Sequence, residues 1–555
     1  MMRFNIGKDI LPHEYKGAIF NHESADRLQW VKWVFSALFV VFVVRTLQLG
    51  LQSNDYRKHN AFDVQIESRA DIIDRNGVVL AKSVKSGNIK LFPPRVKEKD
   101  INAVAEVIHE IAPMDYSVED ALGLIRTGRR GVYIKKNANE DQMKKIKQAH
   151  KKYDCFEIEQ FTQRRYPQRN VFAHVIGFSG KDEGLEGVEL TYDKYLRENK
   201  APLRLSIDSR VQNIFHEQLT IAMNKYHAKG AMGMLMNSST GEMIAMVQLP
   251  DFNPNNINSI PVNVRRFKLM RDNFEMGSIF KIFNTALAYE NGLQNKDYKI
   301  DEPLMIYDKY GRRAMRKPID DVASFKRDVV KKGGHRTLKA PEIMLHSCNV
   351  GSARIALDLP EGAQKEFFER LNFNKALQLE FGKTERAITY KTWGPTERAT
   401  AAFGHGIAVT PMHLLLGVNA MTNGGIYIYP TILKRNIGAV RGERVLSSEI
   451  SAKLRNIMFH IAEETTAKKA RVKGIEVGGK TGTAEKRGAD RHVDKNRNMT
   501  VFTGIFPVSA PQYIILIMLD EPQGTKESGG WKTAAWNAVP TAGAILDGIM
   551  PLLFE

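Results

Sequence analysis

With two cysteines, Cys155 and Cys348, in 555 residues, the chain cannot carry a disulfide framework, and either a cytosolic or an exported setting is permitted. Neither thiol has the basic sequence neighbourhood that would make it reactive. Fixed-period repeats and low-complexity tracts are absent, which excludes solenoids and compositionally driven linkers. Acidic residues are the scarcer charge, 62 against 81 Lys and Arg, a formal net charge of +19. That excess suits an anionic partner such as nucleic acid, a membrane surface or a polyanionic wall, and equally a basic proteome. Ten of the cations fall in Arg126 to Lys152 beside a single aromatic, Tyr133. Without interleaved aromatics there is no stacking platform for a single strand, so the stretch reads as the solvated face of a small helix and nucleic acid is not expected.

Long hydrophobic runs are also scarce. The one candidate, "WVKWVFSALFVVFVVRTLQLGL" (Trp30 to Leu51), has an uninterrupted low-polarity centre from Trp33 to Val44. Twelve residues do not span a hydrocarbon layer of roughly 30 Å, but all 22 suffice if Lys32 and Arg45 snorkel to the two interfaces. A long polar segment precedes the run and no A-x-A-like site follows it, which favours an uncleaved anchor over a signal peptide. Arg3, Lys8, Lys16, Arg27 and Lys32 on one side, against Arg45, Arg57 and Lys58 on the other, tip the N-terminus inward. The reading is a cytoplasmic tail over 1–29, a transmembrane anchor over 30–51, and an extracytoplasmic remainder.

What the chain does have is a globular composition, 43% hydrophobic and 26% charged, and length enough for two or three domains. "VQIESRADIIDRNGVVLAKSV" (Val64 to Val84) alternates around the turn residues Asp74 to Gly77, a hairpin signal. Mixed helix and strand follow to about residue 200. A new unit opens at "LRLSIDSRVQ", where apolar residues take helical spacing, and "GAMGMLMNSSTGEMIAMVQLP" (Gly230 to Pro250) reads as two strands joined at Asn237 to Gly241.

Chemistry enters at "MGSIFKIF" (Met276 to Phe283). A helix over Ser278 to Glu290, apolar nearly all round and stopped by Asn291-Gly292, should be buried. Its Lys281 shares a face with Ser278, three residues earlier. Burial disfavours the ammonium form, and a neutral lysine is a general base able to activate a serine nucleophile. In "IMLHSCNVGSARIAL", Ser347 and Asn349 put a hydroxyl and an amide on one side of a turn that leads into a helix. "IEVGGKTGTAEK" places Lys480, Thr481, Gly482 and Thr483 in a strand-like stretch. A cation beside two hydroxyls suits a carboxylate, and glycine lets a ligand backbone approach closely. Each signal alone is weak; Ser86-Gly87-Asn88 also matches Ser-x-Asn.

Ser-x-x-Lys, Ser-x-Asn and Lys-Thr-Gly in that order form the motif set of penicillin-recognising serine enzymes. With "ADIIDRNG", "HVIGF", "GLEGVE", "LRLSIDSRVQ", "TGEMIAM" and "FGHGIAVTPMHLL", the chain from about residue 30 to 550 resembles the class B penicillin-binding proteins. It departs from them at Ala70, where glycine is usual, at His405, where glutamine is commoner, and in "LNFNKALQLEFGKTERA" (Leu371 to Ala387), which lacks the usual glycine-proline turn. The resemblance implies an α+β architecture: one N-terminal transmembrane helix, an elongated noncatalytic pedestal over 52–202, and a transpeptidase domain over 203–555 built on a five-stranded antiparallel sheet flanked by helices.

It also implies a reaction. Ser278 attacks the D-alanyl-D-alanine bond of a peptidoglycan stem peptide while Lys281 takes its proton, and an amine from a neighbouring stem then resolves the acyl-enzyme. Ser347 relays a proton to the leaving nitrogen, and Asn349 orients Lys281 and the substrate amide. Lys480, Thr481 and Thr483, with Gly482 between them, hold the terminal carboxylate. The backbone N–H groups of Ser278 and Thr483 form the oxyanion hole, and the positive Lys480 helps depress the pKa of Lys281. Neither cofactor nor metal is implied. β-Lactams are the expected inhibitors, and a membrane glycan polymerase of the SEDS type and division proteins the expected partners, at the bacterial inner membrane with the catalytic domain periplasmic. "SCNVG" is similar to the septal branch. An elongation-type transpeptidase is the alternative, followed by a serine β-lactamase or β-lactam sensor and a noncatalytic divisome scaffold. Against a lactamase, the position where a class A enzyme needs its deacylating glutamate is Phe368 in "FFERLNF", with Glu369 one residue out of register.

Overall fold

A computed structural model describes residues 22–52, 68–180, 183–257, 260–435, 440, 442–487 and 493–554. The apolar run lies in a single helix, His22–Gln52, whose large apolar side chains from Trp33 to Leu47 are exposed. Among the described residues no helix is long and apolar enough to cross a membrane. Of the expected tail, 1–29, residues 1–21 lie outside the described residues.

Contacts divide the chain into two compact units, Met1–Ile66 with Lys85–Phe161, and Glu67–Val84 with Thr162–Glu555. In the first, helices Ile101–Ile111, Val118–Arg126 and Glu140–Lys152 and strand Val132–Ala138 close over Ile89, Leu91, Ile108, Ile134, Ile146 and Phe156. The basic stretch supplies the third helix. Its start is fixed by a capping box in which Asn139 accepts from the Gln142 N–H and Gln142 accepts from the Asn139 N–H. Only Met143 and Ile146 of that helix are buried, while Lys144, Lys145, Lys151 and Lys152 are exposed.

The second unit opens with the expected hairpin: Ile72–Ile73 pairs antiparallel with Val79 onward. Asp74 accepts N–H bonds from Asn76 and Val78, and Gly77 takes φ +92°. Leu203–Arg204 then pairs parallel with Ile72–Ile73, which ties residues 67–84 to the larger unit. Two stretches that carried the family likeness meet here. Glu189 of "GLEGVE" is fully buried and accepts bonds from Arg69 and Arg164 at 2.9 and 2.7 Å. Gly184 sits so close to the Glu189 carbonyl that a Cβ would come within 1.9 Å of it. Removing one partner of such a group strands buried guanidinium charge. Glu189→Ala is therefore expected to destabilise the second unit by about 3–5 kcal/mol, read as a lowered midpoint in urea unfolding; a loss below 1 kcal/mol would contradict this reading.

The large core is a five-stranded antiparallel sheet: β1 (Gly230–Asn237), β2 (Met243–Leu249), β3 (Gly478–Arg487), β4 (Val493–Phe506) and β5 (Tyr513–Asp520), in the order β3-β4-β5-β1-β2. β1 and β5 are apolar nearly throughout because helices cover both faces. α1 (Ser209–Lys225) lies against β1, where a Cβ on Gly233 would meet Phe215 at 2.9 Å. α2 (Lys281–Glu290), α4 (Pro411–Thr422) and α5 (Ser448–Glu464) pack together as a second helical layer, joined by α3 (Asn349–Asp358). Every residue of α4 is buried; Thr410 caps it by accepting the His413 N–H. β3 is an edge strand, so one side of its backbone is left to a ligand.

Candidate active site

Ser278 does not begin an α-helix. Gly277–Phe280 forms one 3-10 turn, and α2 starts at Lys281. In a 3-10 turn side chains three apart eclipse, and the Lys281 amine lies 2.8 Å from the Ser278 hydroxyl. Gly277 makes the turn possible: its φ is +53°, and a Cβ there would stand 2.6 Å from the Thr483 carbonyl. On the other side Gly404, φ +79°, abuts the Gly277 carbonyl, where a Cβ would stand at 2.3 Å. Thus "FGHGIAVTP" buttresses the serine turn, and the Glu275 carboxylate accepts the Gly406 N–H.

Ser347 and Asn349 arrive from the start of α3. Ser347 takes φ +60°, a conformation unfavourable for a non-glycine residue. Lys281 Nζ is 2.7 Å from the Ser347 carbonyl, 2.7 Å from Asn349 Oδ1 and 3.2 Å from Ser347 Oγ. This bonding pattern orients the base. The Ser347 carbonyl and Asn349 Oδ1 can only accept, so they take the two N–H bonds of a neutral amine. The remaining lone pair is then available to the Ser278 O–H.

Burial, with Lys281 1% exposed, lowers its pKa to about 8, against an opposing pull from Asp321 and Cys348. Lys480 is also buried, and its pKa is held well below normal by desolvation and by the Lys281 charge. An incoming carboxylate would restore the Lys480 charge.

Lys480 donates to Ser347 Oγ at 3.1 Å and so links the strand to the turn. Gly482 faces the Met276 carbonyl, which a Cβ would approach to 2.2 Å; closeness to the serine turn is what this glycine allows. Thr483 Oγ1 accepts the Ala534 N–H at 3.2 Å, leaving its own hydrogen to donate to a ligand. Ser278, Ser347, Asn349, Lys480, Thr481 and Thr483 line one cleft of about 910 Å³.

Sequence reasoning missed the supports. Asp321, buried, accepts the Asn349 backbone N–H and the Cys348 S–H, the latter at 3.1 Å, while the Asp320 carbonyl accepts from Asn349 Nδ2 at 3.2 Å. Together they turn Asn349 Oδ1 toward Lys281. Nothing in "KPIDDVAS" announces this, since it is a contact across 28 residues. Cys348 faces away from the cleft; burial and the nearby Asp321 carboxylate push its thiol pKa up, which makes it inert. Phe368 lies in an aromatic cluster with Phe280, Phe283 and Phe373, and Glu369 is not among the cleft residues.

The penicillin-binding protein transpeptidase domain matches residues 231–541, and the penicillin-binding protein dimerisation domain matches 66–219. A probable peptidoglycan D,D-transpeptidase FtsI from Caulobacter vibrioides is 30% identical over 507 residues, 88% of this chain and 81% of that protein. Peptidoglycan D,D-transpeptidase FtsI of Escherichia coli K12 is 28% identical over 87% of this chain and 83% of its own. Stage V sporulation protein D of Bacillus subtilis is 28% identical over 93% and 82%. Among solved structures, penicillin-binding protein 2X from Streptococcus thermophilus superposes with a TM-score of 0.70 at 20% identity, covering 88% of this chain and 80% of that one. With the transpeptidase match covering more than half of its length, the chain belongs to the penicillin-binding protein transpeptidase family.

Proposed function

We propose that the protein cross-links peptidoglycan stem peptides, Ser278 taking the acyl group from a D-alanyl-D-alanine donor and passing it to an amine on a neighbouring stem. The observation that carries this is the aim of Lys281: two acceptor-only oxygens hold its N–H bonds and leave its lone pair facing Ser278. Ser347 Oγ, within reach of both lysines, is placed to pass a proton to the leaving nitrogen. Asn349 positions the base, and Lys480, Thr481 and Thr483 take the terminal carboxylate. The backbone N–H groups of Ser278 and Thr483, on segments in contact through Gly277, stabilise the oxyanion. Family membership supports peptidoglycan as substrate and β-lactams as inhibitors.

The septal role is the finer part of this reading, supported by "SCNVG" and by relatives named FtsI. With it go attachment to the bacterial inner membrane through the N-terminal helix, an extracytoplasmic catalytic unit, a noncatalytic pedestal within 52–202, and partnership with a SEDS-type glycan polymerase and division proteins. Depletion of the protein in growing cells is expected to give filaments with blocked septa. Rounded or widened cells that still divide would assign it to elongation instead.

A further inference from the structure

The proposed reaction leaves one end of the cleft without a task. Thr481, Thr483 and Glu485 project from the same face of β3 into it, successive positions being about 7 Å apart. The serine turn abuts Thr483. Glu485 therefore lies one step beyond the reacting centre, on the side away from Lys480. Opposite it in register on β4 is Asn498, which lines the same cleft. Asn498 is 9% exposed, and its Oδ1 has no hydrogen-bond partner.

Among the described residues the neighbouring charges leave this pair uncompensated. Lys486 bonds to Asp520 and Glu521, and Arg497 donates to Glu521 at 2.9 Å. Two cations adjacent in sequence, Lys486 beside Glu485 and Arg497 beside Asn498, are thus engaged by the end of β5. Of the other carboxylates in the cleft, Asp328 pairs with Arg327 and Glu464 with His460. Among the described residues no cation pairs with Glu485. The Glu485 carboxylate and the orphaned Asn498 oxygen are both acceptors, so one group that satisfies both is a donor, and a positively charged one suits the carboxylate best.

Resting on the reaction proposed above, the direction of the donor follows. Its carboxylate sits at Lys480 and Thr481 and its scissile carbonyl at Ser278, so the preceding residue must leave toward Glu485. Stems in one polymer are alike, and each therefore carries the amine that serves as acceptor elsewhere. We propose that Glu485 and the Asn498 side-chain carbonyl form a subsite for a primary ammonium on the side chain of the donor residue that precedes the D-alanyl-D-alanine pair. The attacking amine is not its occupant. That nitrogen must be neutral and about 3 Å from the ester carbon, whereas Glu485 would hold it protonated and a strand step away.

The test uses the full chain and two penicillins that share one side chain ending in a primary amine, free in one and N-acetylated in the other. Second-order rates of Ser278 acylation are measured at low ionic strength. The free amine is expected to react roughly 3- to 5-fold faster, the upper range for an exposed ion pair, and the ratio should shrink with added salt. Glu485→Gln brings the ratio to within about twofold of unity and Glu485→Lys inverts it, as loss and reversal of one such pair require. A wild-type ratio of one, or a preference that survives in Glu485→Gln, overturns the subsite while leaving the transpeptidase reading intact. Absence of any adduct with either compound overturns the transpeptidase reading, and the subsite with it.

Discussion

Replacing Ser278 with alanine abolishes both penicillin acylation and rescue of a depleted strain, with little change in folding. Ser278 supplies the attacking oxygen, and among the described residues no other hydroxyl lies within hydrogen-bonding distance of Lys281 except Ser347 Oγ at 3.2 Å. Ser347 does not substitute, because its Oγ is shared between Lys281 and Lys480 and is occupied in the proton relay. The one hydrogen bond lost, between Lys281 and the Ser278 hydroxyl, is worth about 1 kcal/mol, so the thermal midpoint should fall by only a few degrees. Fluorescent-penicillin labelling, complementation and a melting curve check the three statements together. Full complementation by Ser278→Ala would place the essential chemistry elsewhere.

Lys281→Ala slows acylation by about 10²- to 10⁴-fold, the range of a lost general base. The wild-type rate carries a matching signature. The active form is the neutral amine, so the rate should rise with pH through about 8, the value to which burial lowers Lys281, and level off above it. Below that value the lone pair that receives the Ser278 proton is occupied. Lys281→Arg should not recover the rate, since a guanidinium remains charged at every accessible pH. Both variants leave the Ser347 carbonyl and Asn349 Oδ1 short of a donor or crowded, so each melting curve must show a folded protein before its rate is read. A pH profile flat from 6 to 9 would argue against Lys281 as the base.

Much of this site was legible because its parts are local. Ser278 and Lys281 lie within one turn, Ser347 and Asn349 within another, and Lys480 to Thr483 on one strand, so spacing alone placed each pair on a common face. The strands Gly230–Asn237 and Met243–Leu249 were legible for the same reason, as continuous apolar runs around a turn. What spacing could not show is how the pieces are held. Asp321 reaches the head of α3 from a loop, Gly404 abuts Gly277, and Asn498 faces Glu485 only through strand register. Nor could it show that Ser278 lies in a 3-10 turn, because a few residues of 3-10 geometry have the same apolar pattern as an α-helix start. The pull of Asp321 against the burial of Lys281 was equally out of reach, because both depend on packing.

The most direct measurement of the central claim is intact-mass spectrometry of the wild-type protein after brief exposure to penicillin, followed by peptide mapping over several hours. The account predicts one covalent adduct, located on the peptide containing Ser278 and long-lived, because Phe368, at the sequence position matching a water-activating glutamate, is packed among aromatic rings and Glu369 is not among the cleft residues. An adduct on another peptide, or one that hydrolyses within minutes, would contradict it.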